Sequence, residues 1–125
     1  KFNMSTEALP SGELETLVRE YLQAFDERSV ERCMSYYTED SSLEFVSMFR
    51  GLKEIEEWHK ARFAADLRLV RLDKISVNEN AVAIDAVATS KRLRAWRVKA
   101  ISGSIRAVFE GDKIKDLKFA IRAGG

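Results

Sequence analysis

The sequence is poor in the residues that build disulfides and metal centres. It contains one cysteine, one histidine and one proline among 125 residues. A single cysteine cannot form an internal disulfide, and one histidine beside one cysteine cannot make a typical transition-metal site. We therefore predict no metal and no other cofactor. The lone Cys33, on a buried helical face, is expected to pack as a small apolar residue in a reducing compartment such as the cytoplasm.

An excess of charge of one sign and long apolar runs are also missing. The chain has 21 basic and 20 acidic residues, for a formal net charge of +1. This balance argues against nucleic acid or an anionic membrane as a partner. No apolar run is long enough to span a bilayer. With 46% hydrophobic residues, the composition is typical of one globular domain with a real core.

Helical periodicity dominates the first half of the chain. We interpret residues 1–10 as a flexible lead-in and residues 11–123 as a single domain. Three helices are expected: one capped by Ser11 and running to Glu27, one capped by Ser29 and ending near Tyr37, and one from Gly51 to about Ala65. The first helix has an apolar stripe at helical spacing, comprising Leu14, Leu17, Val18, Tyr21, Leu22 and Phe25.

Strand-like patterns dominate the second half. Between the second and third helices we predict a polar turn over Thr38–Ser42 and a short strand over Leu43–Val46. After the third helix we predict four strands with short connections, over Leu67–Val77, Ala81–Thr89, Ala95–Phe109 and Ile114–Ile121. Gly103, inside the third of these, suggests a bulge or a bend. Short connections favour an antiparallel meander.

Alternation along the strands predicts which side chains face the helices. The predicted inner rows are Val82, Ile84, Ala86 and Ala88; Ile105, Ala107 and Phe109; and Leu117, Phe119 and Ile121. The predicted outer face is mixed and includes Asp85, Val87, Thr89, Arg106, Val108, Glu110, Asp116, Lys118 and Arg122. We expect an α+β fold, a cone in which three helices cover one face of a curved antiparallel sheet. The outer face would support a homodimer.

This order of elements resembles the nuclear transport factor 2-like superfamily, which includes ketosteroid isomerases and SnoaL-like polyketide cyclases. The segments that carry the resemblance are Glu20–Phe25, Tyr37–Asp40, Gly51–Trp58 and Phe109–Ile114, and it extends from about Leu14 to Ile121. The resemblance implies a cone-shaped cavity. It does not imply one particular reaction, because members of one fold host different chemistries.

The ketosteroid isomerase pattern is the nearest chemical comparison, and it fits only in part. By this resemblance, Tyr21 stands where that family keeps the tyrosine that donates to the substrate oxyanion. Tyr37 and His59 stand at positions of supporting tyrosines. However, Phe45 replaces the aspartate base and Ile105 replaces the second acid. Steroid isomerase activity is therefore not expected.

Each polar candidate has a structural and a functional interpretation. Tyr21 is either a core tyrosine bonded to a neighbour or a donor to a ligand oxygen. His59 is either a packed histidine bonded to Tyr21 or a backbone carbonyl, or a general acid or base. The ligand-contacting residues would be Phe25, Tyr37, Phe45, Trp58, Phe63, Ile84, Ile105 and Phe119.

Other charged residues are expected to be peripheral. Glu44 should point to the surface unless a bulge turns it inward, and Asp85 should lie on the outer face, paired with Arg106. In an epoxide-hydrolase-like register, Asp85 would instead face the cavity, with Arg97 as its partner. The basic cluster that begins at Lys91 is interpreted as a solvated hairpin or as a site for an anionic ligand group.

Two functional hypotheses follow from the sequence. In the first, the domain binds a small, largely hydrophobic molecule and, if catalytic, acts as a cofactor-free isomerase, cyclase, dehydratase or hydrolase through Tyr21 and His59. In the second, it is a non-catalytic ligand-binding or dimerising module. A cavity filled by Phe45, Phe63 and Phe119 would favour the second.

Overall fold

The computed structural model of the protein describes residues 9–121. Within that range the chain forms α1 (Ser11–Asp26), α2 (Val30–Met34), β1 (Tyr37–Phe45), β2 (Ser47–Arg50), α3 (Gly51–Ala64), β3 (Arg68–Asn78), β4 (Ala81–Thr89), α4 (Lys91–Ala95), β5 (Ile101–Glu110) and β6 (Lys113–Ile121). The predicted lead-in lies outside the described residues, except for Leu9 and Pro10. The last two residues of the predicted domain also lie outside them.

The apolar stripe of α1 is buried as predicted. Leu14, Val18, Tyr21 and Phe25 are each at most 2% exposed. The start of the helix differs from the prediction. Pro10, not Ser11, occupies the N-cap position, and no side chain caps the helix. The helix begins here because proline is tolerated at a helix start, where its missing N–H is not needed.

The segment after α2 corrects two predictions. Ser29 caps α2 by accepting a hydrogen bond from the Arg32 N–H, as predicted, but the helix ends at Met34 instead of near Tyr37. Thr38–Ser42, predicted as a turn, is extended and belongs to β1. Its polar residues suggested a turn locally. The pairing of this part of β1 with the distant β6 is irregular: Tyr37 aligns with Ile114 and Ser42 with Asp116, and the register shifts between them.

The six strands form one curved sheet in the order β2-β1-β6-β5-β4-β3. All neighbours are antiparallel except β1 and β6, which run parallel, so the expected antiparallel meander holds only from β3 to β6. The helices α1 and α3 pack against the inner face of this open sheet. The α+β architecture and the packing of helices on one face of a curved sheet are confirmed.

A fourth helix corrects the predicted third strand. Residues 95–100 do not belong to a strand: α4 ends at Ala95, and β5 begins only at Ile101. The Ser90 side chain caps α4 by accepting from the Leu93 N–H. Five residues are too few to show a helical periodicity, and the alternation of basic and apolar residues resembles a strand.

The inner rows of the sheet are buried with few exceptions. Ile84, Ile105 and Leu117 are each at most 3% exposed. Ile121, predicted inside, is 62% exposed, and Thr89, predicted on the mixed outer face, is only 8% exposed. Both lie at strand ends, where the alternation of faces no longer decides burial.

Gly103 does not mark a bulge, because it pairs regularly with Ala86 and Ile121. A Cβ at this position would lie 2.6 Å from the carbonyl oxygen of Ala120. The glycine thus allows the backbones of β5 and β6 to approach closely.

The single cysteine is part of the core. Cys33 has no exposed surface, and burial raises the pKa of its thiol to about 12. It is therefore an inert packing residue. Along residues 9–121, no cluster of three histidine, cysteine or acidic side chains is arranged to hold a metal ion. No helix in the described part of the chain is long and apolar enough to cross a membrane.

Candidate functional site

Three side chains from three elements meet in the core and form the Tyr–Tyr–His triad (Tyr21, Tyr37 and His59). The Tyr37 hydroxyl donates to the Tyr21 oxygen at 2.6 Å. The Tyr21 oxygen lies 2.7 Å from His59 Nε2, and His59 Nδ1 lies 2.8 Å from the Ile55 carbonyl oxygen. α1, β1 and α3 each supply one member, so the triad joins the helices to the sheet.

The proton positions in the triad follow from elementary constraints. A carbonyl oxygen only accepts, so His59 Nδ1 carries a proton and donates it to Ile55. A neutral imidazole then has an unprotonated Nε2, which accepts the Tyr21 proton. The order of donation is Tyr37 to Tyr21, Tyr21 to His59, and His59 to Ile55. Every donor of the triad is used within the protein.

Burial keeps the triad in this protonation state. His59 has no exposed surface, and Tyr21 and Tyr37 are 1% and 5% exposed. Burial lowers the pKa of His59 to about 4, against the opposing effect of the Ile55 carbonyl. Burial also raises the pKa of Tyr21 and of Tyr37 well above the ordinary value. All three side chains are therefore neutral at pH 7.

Aromatic side chains extend from the triad towards one end of the sheet. The Trp58 ring lies 4.9 Å from the His59 ring between centroids. The centroid of the Trp58 ring also lies 5.5 Å from that of Phe45 and 5.2 Å from that of Phe119. Trp58 therefore packs between the triad and the two phenylalanines.

Phe45 and Phe119 line a cavity at this end of the sheet, called here the end cavity. It measures about 70 Å³, and its walls are almost entirely apolar. The lining residues are Phe45, Leu67, Leu69, Ala86, Ala88, Ile101, Ser102, Gly103, Ser104, Ile105, Phe119, Ala120 and Ile121. The cavity lies at the end of the sheet where β1, β4 and β6 end and where β3 and β5 begin.

The predicted site residues divide into two groups. Phe45, Ile105 and Phe119 line the end cavity. The catalytic candidates Tyr21 and His59 do not, nor do the predicted ligand contacts Phe25, Tyr37, Trp58, Phe63 and Ile84. The structure brings most of these residues into one aromatic cluster but does not bring them to one cavity.

The two acidic candidates are also outside the end cavity. Asp85 aligns with Lys74 on one side and Ser104 on the other, on the outer face. Glu44 aligns with Met48 and Lys118. Their side chains alternate with the buried residues of their strands, as the period of a strand predicts.

Sequence analysis missed a charged cluster near the end cavity. Asp66 forms ion pairs with Arg28, Arg68 and Arg94, which belong to three separate segments. The hydrogen bond from Arg28, helped by Arg94, lowers the pKa of Asp66 to about 2. Three arginines around one carboxylate leave a net positive surface here. This cluster could not be predicted from the sequence, because a single aspartate between a helix and a strand forms no recognisable pattern.

Comparison with solved structures places this architecture among the nuclear transport factor 2-like folds. A candidate ketosteroid isomerase from Kribbella flavida DSM 17836 has a TM-score of 0.77 at 12% identity, covering 92% of this chain and 82% of that one. SalBIII, an epoxide hydrolase/cyclase-like enzyme of pyran ring formation in salinomycin, has a TM-score of 0.78 at 15% identity, covering 90% and 92%. A nuclear transport factor 2-like protein of unknown function from Cytophaga hutchinsonii ATCC 33406 has a TM-score of 0.72 at 14% identity, covering 87% and 89%.

The chain itself belongs to the SnoaL-like domain family, whose pattern matches residues 18–117. No curated protein sequence matches it significantly. At these identities the structural similarities show the fold alone, so the function has to be argued from this chain's own residues.

Proposed function

We propose that this SnoaL-like domain binds a small, largely hydrophobic molecule in the end cavity. The observation that supports this proposal most is the apolar lining of that cavity, which is contributed by five strands and includes Phe45 and Phe119. Binding would remove apolar ligand surface from water, worth about 25 cal/mol per Å².

The size of the end cavity limits its occupant. A volume of about 70 Å³ is roughly half that of an apolar cavity that accepts benzene, about 150 Å³, and ordinary ligand pockets are several times larger. A ligand larger than a few heavy atoms therefore requires displacement of Phe45 or Phe119. We place this displacement at Phe45, because this residue lies at the end of β1, where the chain turns into β2.

Methyl chemical shifts test the proposal. On titration with cyclohexanone, the methyl groups of Leu69, Ala86, Ala88 and Ile105 should shift together and saturate. Ala88→Leu should abolish these shifts by filling the cavity. Ala83→Leu, at an exposed position of the same strand, should not. Absence of saturable shifts at the four methyl-bearing residues would refute binding in this cavity.

A catalytic function is the second candidate, and the geometry of the triad defines what it would require. Tyr21 accepts a hydrogen bond from Tyr37 in a dry environment, which favours donation of its own proton to developing negative charge. To reach a ligand, that proton would have to turn away from His59. Trp58 would also have to move, because it packs between the triad and the cavity residues.

The catalytic proposal is tested by turnover. Cyclic ketones, lactones and epoxides are screened against the wild type and Tyr21→Phe. A reaction that Tyr21→Phe eliminates, without loss of end-cavity binding, would support a catalytic Tyr21. Turnover that survives this substitution would exclude Tyr21 from the mechanism, and absence of turnover across the screen leaves binding as the function we propose.

A further inference from the structure

The exposed apolar side chains of the protein are concentrated at one end of the sheet, called here the cavity end because the end cavity lies there. Six large hydrophobic side chains are exposed within residues 9–121: Val46, Met48, Val70, Trp96, Val98 and Ile121. Each lies where β1 or β6 ends, where β2 or β3 begins, or in the connection that leads into β5. These strand ends meet at the cavity end, so the six side chains share one end of the molecule.

The connection between β4 and β5 adds positive charge to the same end. The segment Lys91–Lys99, called here the basic segment, has five basic residues and no acidic residue. Most of it is exposed, including Trp96 at 66% and Val98 at 37%. Because the whole chain has a net charge of only +1, the remainder of the chain is net negative. The overall charge balance, which argued against an anionic partner, therefore conceals a local concentration of positive charge.

Most cations of the basic segment are not neutralised by the protein. Arg94 forms an ion pair with Asp66, a carboxylate that also pairs with two other arginines. The other four form no ion pair with an acidic side chain of residues 9–121: Lys91, Arg92, Arg97 and Lys99. Four unpaired cations in one short segment create a positive potential that attracts an anionic surface.

We propose that the cavity end docks on a membrane surface rich in anionic lipids, with the basic segment against the headgroups and Trp96 at the interface. Lysine and arginine are stabilised by the negative surface potential of anionic lipids. Tryptophan is enriched at the membrane–water interface, because its ring is apolar and its N–H is polar. The exposed aliphatic side chains around it would leave water on docking.

The chemistry of the exposed apolar residues favours a lipid surface over a nucleic acid. Proteins that bind single-stranded nucleic acid combine cations with aromatic rings on which the bases stack. Five of the six exposed apolar side chains at the cavity end are not aromatic, so they offer no ring for stacking. The sixth, Trp96, has the Arg92 guanidinium carbon 5.9 Å from its ring centroid, so one face of the ring is already occupied.

Docking at the cavity end does not depend on ligand binding inside the end cavity. Of the six exposed apolar residues, only Ile121 also lines that cavity. Vesicle binding and the cyclohexanone shifts are measured in separate experiments, so either result can fail without the other. If both hold, an apolar ligand dissolved in the bilayer would lie beside the cavity that binds it.

Tryptophan fluorescence and vesicle flotation test the docking. With vesicles of phosphatidylcholine and phosphatidylglycerol at about 2:1, the protein should float with the vesicles and the Trp96 emission should shift to shorter wavelength. Trp58, which is only 3% exposed, contributes a constant background. Vesicles of phosphatidylcholine alone should produce neither effect. Raising the salt from ~0.1 M to ~0.5 M should release the protein, because the Debye length shortens.

Matched charge reversals locate the docking surface. Lys91→Glu/Lys99→Glu should weaken binding by ~25-fold or more, because each basic residue near an anionic surface contributes about fivefold. Lys53→Glu/Lys113→Glu makes the same change in net charge at exposed positions near the starts of α3 and β6 and should bind nearly as the wild type does. Trp96→Ser should weaken flotation and abolish the emission shift.

Several outcomes would overturn the inference. Absence of binding to anionic vesicles, equal binding to both kinds of vesicle, or equal weakening by the two double variants would exclude docking through the basic segment. Oligothymidylate that binds more tightly than the vesicles at the same salt, and is released by Lys91→Glu/Lys99→Glu, would make the partner a nucleic acid instead.

Discussion

At the scale of the residue, His59 links the stability of the fold to pH. Its pKa falls from 6.5 to about 4 on folding because it is buried as a neutral ring. The unfolded chain therefore binds a proton more readily, so stability is full above pH 6.5 and declines as the pH falls towards 4. A shift of this size corresponds to about 3 kcal/mol of unfolding free energy. Urea unfolding at about six pH values between 7.5 and 4 would measure this loss of unfolding free energy.

His59→Gln is the control for this pH dependence. An amide does not titrate, so the variant should lose the slope between pH 6.5 and about 5. Asp66 keeps its charge across this window, because its pKa is about 2. If the variant and the wild type lose stability in parallel, His59 is not the cause.

Phe45 controls the volume of the end cavity. Phe45→Ala removes a ring from its wall and should enlarge the cavity to roughly the size that accepts benzene, about 150 Å³. We expect the variant to bind benzene more tightly than the wild type, in which Phe45 must first be displaced, and to lose ~3 kcal/mol of stability. Benzene titration followed by methyl shifts would detect binding.

Phe49→Ala is the matched variant for this prediction. Phe49 is also a half-buried phenylalanine of the sheet, but it lines a groove between α3 and β2 and not the end cavity. It should lose stability without binding benzene more tightly than the wild type, as measured by the shifts at Ala86 and Ala88. Similar benzene binding by both variants would mean that Phe45 does not define the cavity.

At the scale of the element, the contact between β5 and β6 depends on Gly103. Gly103→Ala would place a Cβ 2.6 Å from the Ala120 carbonyl oxygen, a backbone atom that cannot move without disturbing the strand pair. We expect a loss of ~2 kcal/mol, in the range for overpacked positions. Gly12→Ala, in the first turn of α1 with open space around its Cβ, should be neutral or stabilising. Thermal unfolding of the two variants would compare them.

The elements that sequence analysis found are those whose signal is local. The long amphipathic stripe of α1 and the alternation in β4 each predict their own structure, and β4 matches its predicted bounds. β2 was missed because it becomes a strand by pairing with β1 across a tight reversal. The first half of β1 was missed because its pairing with the distant β6 is irregular, with a register shift between Tyr37 and Ser42. α4 is too short for any periodicity.

The candidate site shows the same division. Helical spacing predicted that Tyr21 and His59 face inward, and they do contact each other. The sequence did not indicate that all donors of the triad are used within the protein, because this depends on the Ile55 carbonyl and the Tyr37 hydroxyl.

At the scale of the whole molecule, the outer face of the sheet is the remaining large surface without a helical layer. Its central positions carry small side chains, including Ala83, Ser104 and Ala120, beside Arg106 and Lys118. A surface with small central side chains can pack closely against a second copy, and a twofold interface would match it with itself. We therefore expect a homodimer through this face.

Sedimentation equilibrium tests this expectation. At micromolar concentration the wild type should have about twice the monomer mass of 14.3 kDa. Ala83→Arg would place a long charged side chain at the centre of the interface and should yield a monomer. Ala64→Arg, at an exposed position of α3, should remain dimeric. A wild-type mass near that of the monomer would refute the homodimer. Dissociation by Ala64→Arg but not by Ala83→Arg would assign the interface to another surface, and the outer face would then be solvent-exposed in the working protein.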